Sequence, residues 1–91
     1  MAAEIHIQRI NDGDFHVRVK EAGSESQHLV TLSQKDYQRL SGGKVEPIEL
    51  IKRSFEFLLA REPKESILSK FDLLLIGRYF PEFERELKRS I

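Results

Sequence analysis

The chain has 91 residues, with 15 Lys+Arg against 15 Asp+Glu, three His and no Cys. That length is one domain, residues 1–91, too short to hold a catalytic and a regulatory domain together. Zero net charge excludes a general polyanion binder, which needs a basic excess to displace counterions, and the lack of Cys excludes disulfides, thiolate metal sites and Cys nucleophiles.

Ile5-His6-Ile7-Gln8-Arg9 and Phe15-His16-Val17-Arg18-Val19-Lys20 alternate apolar and polar, the period of a half-buried strand. A two-residue Asp12-Gly13 turn between them would set Ile7 opposite Arg18. A three-residue loop, Asn11 to Gly13 with Gly13 left-handed, pairs Ile7 with Val17 and Ile5 with Val19. A one-residue slip exchanges the faces, so the register that unites the apolar residues is expected. A polar loop, Ala22 to Ser26, leads to a third strand, Gln27 to Leu32. The result is a three-stranded antiparallel meander, apolar on one side only, which another layer must cover.

Helices follow. Ser33 and Asp36 resemble a capping box opening a short helix through Leu40, which Gly42-Gly43 ends. Each of the three prolines then opens a helix, where its missing N–H costs nothing. Pro47 starts a long one to about Arg61, with Ile48, Ile51, Phe55, Leu58 and Leu59 on one face and Glu49/Arg53 and Lys52/Glu56 as i,i+4 pairs outside. Pro63 starts a short one to about Phe71, and Pro81 a terminal one with Phe83, Leu87 and Ile91 inward. Asp72 is a good N-cap for Leu73 to Phe80, which favours helix there, with a short buried strand as the alternative. The expected fold is α+β: the meander of residues 1–32 packed against four to five C-terminal helices in 33–91.

The chemistry-bearing residues form no catalytic set. His6 and His16 share the polar sheet face with His6 opposite Arg18, a poor setting for a divalent metal. No Ser sits in a Gly-x-Ser-x-Gly setting, and no Walker or Gly-x-Gly-x-x-Gly motif occurs. No enzyme, cofactor or metal is therefore expected. The polar sheet face holds His16, Arg18 and Lys20, a modest basic patch without an aromatic for base stacking, which makes nucleic-acid binding the alternative function. Neither half of the chain carries a net charge.

The anomaly is apolar. Between Ile67 and Phe83 large apolar residues crowd more than one helical face, and such a segment must be buried on more than one side. Leu73, Leu74, Leu75, Tyr79, Phe80 and Phe83 are the candidate interface, for a protein partner or for a second copy in a homodimer. The longest apolar run, Leu73 to Ile76, falls far short of the roughly 20 residues of a membrane span. No charged segment followed by an apolar stretch opens the chain, so no secretory signal is expected.

Phe55-Glu56-Phe57-Leu58-Leu59-Ala60-Arg61-Glu62-Pro63, Ser66-Ile67-Leu68 and Tyr79-Phe80-Pro81-Glu82-Phe83-Glu84 together resemble a family of small uncharacterised bacterial proteins. That resemblance covers most of the chain and implies a bacterial cytoplasmic setting. It brings no activity, cofactor or site residue. The function expected from all of this is a small non-catalytic interaction or regulatory module acting through its apolar C-terminal region.

Overall fold

The computed structural model describes residues 3–91. Three strands, β1 (Glu4–Arg9), β2 (Asp14–Glu21) and β3 (Ser24–Thr31), are followed by helices α1 (Gln34–Ser41) and α2 (Pro47–Leu59). A fourth strand, β4 (Lys70–Asp72), precedes α3 (Ile76–Tyr79) and α4 (Phe83–Arg89). The architecture is α+β, with a four-stranded mixed sheet in the order β1-β2-β3-β4 and the helices against its apolar face.

The β1–β2 register is the expected one: Ile5 opposes Val19, Ile7 opposes Val17 and Arg9 opposes Phe15. The loop is Asn11–Gly13, but Gly13 is not left-handed. The Asn11 side chain does the turning instead, its Oδ1 accepting from the N–H groups of Gly13 and Asp14 at 3.0 Å each. Such a side-chain turn needs no positive φ.

β3 starts earlier than its polar sequence suggests. The β2–β3 loop is only Ala22-Gly23, both left-handed, with Glu21 paired to Ser24. Two positive φ values in a two-residue loop match the right-handed twist of the strands it joins. Ser24, Glu25 and Ser26 are therefore ladder residues, not loop.

The fourth strand is the main correction. Instead of a helix to Phe71, Pro63 leads into a single 3-10 turn, Lys64–Ser66, and the chain then extends into β4, parallel to β3. The edge of β3 offers unpaired backbone groups. Leu29 N–H donates to Ser69 O at 2.7 Å and Thr31 Oγ1 donates to Asp72 Oδ1 at 3.0 Å. Tertiary pairing overrides the proline signal. Two helices separate β3 from β4, as a parallel pairing requires a crossover.

Where caps were legible, the helices match. Ser33 Oγ accepts from Asp36 N–H at 3.1 Å, and α1 ends at left-handed Gly42. Asp72 caps the segment after β4 by accepting from Leu74 N–H at 3.0 Å, so Leu73–Leu75 is a 3-10 turn running into α3, and helical rather than strand. α2 ends at Leu59, two residues short of Arg61, and is rotated from the expected face: Leu50, Ile51, Ser54, Phe55 and Leu58 are buried, while Ile48 is exposed. Phe55 lies over the sheet, 5.4 Å from the His28 ring and 6.0 Å from Phe71. Phe83 and Leu87 of α4 complete the core. Each such large side chain contributes about 1.5–3 kcal/mol by leaving water.

Candidate functional site: an apolar groove beside the sheet edge

β4 directs Phe71 to the core side, the last turn of α2 and the residues after it supply Leu58 and Glu62, and the capped segment after Asp72 supplies Leu75 and Tyr79, four residues apart. Between them runs a groove of about 410 Å³, open to solvent, lined also by Ser66, Ile67, Leu68, Ile76 and Phe80. Tyr79 is 65% exposed and Leu68 46% exposed. Among the described residues, Glu62 is the only charged one lining it.

Behind the groove, the segment that carries Leu68 is tied to the sheet. His28 is 3% exposed and bridges β3 to the segment before β4. A carbonyl only accepts, so Nδ1–H donates to Leu68 O at 2.7 Å, which leaves Nε2 to accept from the Ser26 hydroxyl at 2.8 Å. Burial holds the His28 pKa below the usual imidazole value, the bond to Leu68 works the other way, and the charge of His16 lowers it further. On the other side Phe80 meets Phe57 edge-on at 5.8 Å, and Arg61 stacks 3.6 Å over the Phe57 ring.

Of the six expected interface residues, Leu75, Tyr79 and Phe80 line this groove. Leu73 and Phe83 do not: both are 0% exposed and belong to the core. Leu74 is half-buried against the same core. The other wall of the groove, Leu58, Glu62 and Leu68, was not in the expected set. Its signal was present in Leu68, one of the apolar residues crowded between Ile67 and Phe83, but its placement depends on β4.

His16, Arg18 and Lys20 share the polar sheet face as expected, but acids share it with them. Arg18 lies 3.8 Å from Glu25, and Lys20 is flanked across the strands by Glu4 and Glu25. His16 Nε2 is 3.1 Å from Gln27 Oε1. A second groove, between α2 and α4, is lined mostly by charged residues that pair with the chain itself: Glu49 pairs with Arg53 at 2.8 Å, and Arg53 also donates to Ser90 O.

Ser26 and His28 have the contact of a nucleophile and its base. A backbone carbonyl stands where an orienting carboxylate would be, and neither groove reaches the pair. Among the described residues, no three His, Asp or Glu side chains cluster as metal ligands, and no helix is long and apolar enough to cross a membrane. Set against known proteins, the chain matches no family model, no curated protein and no solved structure.

Proposed function

We propose that this protein is a small, non-catalytic interaction or regulatory module whose working surface is the groove between the end of α2, β4 and α3. One observation carries the reading. Leu68 and Tyr79 stand exposed on the groove's rim, although among the described residues the fold buries sixteen apolar residues in a continuous core. Large apolar groups left in water around a concave surface are the mark of a binding site. The partner is a protein or a second copy of the chain, and the resemblance noted above implies a bacterial cytoplasmic setting. The nucleic-acid alternative, through His16, Arg18 and Lys20, draws no support from a sheet face whose bases are matched by Glu4 and Glu25.

The test uses matched baits, the wild-type chain and a Leu68→Asp/Tyr79→Asp double variant, with light scattering on both. A protein held by the wild type and lost by the variant, or a wild-type dimer that the variant dissolves, supports the reading. Identical captures on both baits, with monomers throughout, reject it.

A further inference from the structure

The groove's one charge sits where helix electrostatics disfavour it. Glu62 lies three residues past Leu59, the last residue of α2, and its N–H still bonds back to the helix end, donating to Leu58 O at 2.9 Å. The last carbonyls of a helix carry partial negative charge, which favours Lys or Arg there and disfavours Asp or Glu. α2 has no basic residue in its last turn. The two cations nearest in sequence are committed elsewhere: Arg61 stacks on Phe57 and pairs with Glu82 at 3.4 Å, and the buried Lys64 donates to Glu65. Among the described residues Glu62 has no ion-pair partner and no side-chain hydrogen bond. A half-buried Glu62, close to helix-end carbonyls and lining the same groove as Phe71, Leu75 and Phe80, makes the groove apolar with a negative point at the α2 end.

We infer that the groove's occupant is an amphipathic helix of another protein, whose apolar stripe fills it and whose Lys or Arg, at the edge of that stripe, meets Glu62. The inference rests on the groove being the working surface. A helix is favoured over a small molecule because the rims, Leu68 and Tyr79, are both exposed, and an occupant confined to the floor leaves them in water. A different protein is favoured over a second copy because, among the described residues, this chain's own helices leave no apolar stripe exposed: Leu40 of α1, Phe55 and Leu58 of α2, and Phe83 and Leu87 of α4 are buried, and the exposed Ile48 of α2 and Tyr79 of α3 are single residues.

The probes are three labelled helical peptides of about 18 residues with one Leu stripe at i, i+3, i+4 and i+7. They differ only at one stripe-edge position, which is Lys, Gln or Glu. Fluorescence anisotropy with the full chain at low salt reads the affinities. The expected order is Lys, then Gln, then Glu, with successive steps of at least about threefold. Glu62→Gln removes the differences, and Glu62→Lys inverts the order; a thermal melt of each variant verifies that it is folded. Equal binding of the three peptides, or an order that Glu62→Gln leaves intact, overturns the basic partner while the groove stands. Failure of every peptide to bind, or binding unaffected by Leu68→Asp/Tyr79→Asp, overturns both.

Discussion

Replacing His28 by Phe separates two effects that the buried imidazole combines. At about pH 7.5 the neutral ring donates to Leu68 O and accepts from Ser26, and Phe does neither. A carbonyl left without its donor in a partly buried site costs about 1–3 kcal/mol. Phe fills similar space against Phe55, so the loss comes from the hydrogen bonds and not from a cavity. The second effect is proton linkage. Burial holds the folded pKa of His28 below its unfolded value, so the unfolded chain binds the proton first. Stability from this residue is complete above about pH 6.5 and is lost as the pH falls through the unfolded value towards the folded one. One proton limits the slope to about 1.4 kcal/mol per pH unit. Ionisable groups common to both proteins and uncoupled from His28 cancel in the comparison, and the coupling of His28 to His16 is part of the difference read. Glu65, which Lys64 holds below the usual carboxylate range by a hydrogen bond, titrates at lower pH and is avoided by staying above about pH 5.5. Urea denaturation from about pH 7.5 to 5.5 should show the wild type losing stability and the variant changing less, so that the gap between them narrows. Parallel curves, or a wild type flat over this window, would refute the assignment of a buried neutral histidine.

Ala22→Asn is expected to stabilise the chain by about 0.5–1 kcal/mol, since Ala22 is left-handed at φ 55° and Asn tolerates that region; an unchanged urea midpoint would count against the two-residue turn. Gly13→Ala should be neutral or stabilising by about 0.4–1 kcal/mol, because the added Cβ meets only Leu32 O, at 3.7 Å. Gly42→Ala, at φ +61°, should instead lose about 1 kcal/mol, and thermal unfolding of the pair distinguishes the two glycines. Ser33→Ala removes the acceptor of the Asp36 N–H and should lower stability by about 1 kcal/mol in the same assay.

Features set by local chemistry were legible in the chain. The Ile5/Val19 and Ile7/Val17 pairs followed from face matching alone, and Ser33, Gly42 and Asp72 marked helix ends because capping involves neighbours in sequence. Features set by distant partners were not. Nothing in Lys70-Phe71-Asp72 indicates strand until the edge of β3 is in place, and Ala22 gives no turn signal because only Gly23 beside it is a habitual left-handed residue. The apolar excess was visible, yet which part of it faces water depended on the missing strand. Leu73 and Phe83 went inward, while Leu68 and Tyr79 stayed out.

The pairing of β3 with β4 has a kinetic consequence. Thr31 and Asp72 are 41 positions apart, and α1 and α2 occupy most of the chain between them. A ladder of three residues cannot hold so large a loop closed on its own, so β4 docks only after those helices have packed. The segment last to dock is also among the first to open in local fluctuations. That segment is one wall of the groove. An occupant that binds only the closed form suppresses its opening by mass action. The amides that bind β4 to β3, Leu29 among them, should then exchange with solvent more slowly whenever the groove is filled, and so record occupancy without any label on the partner.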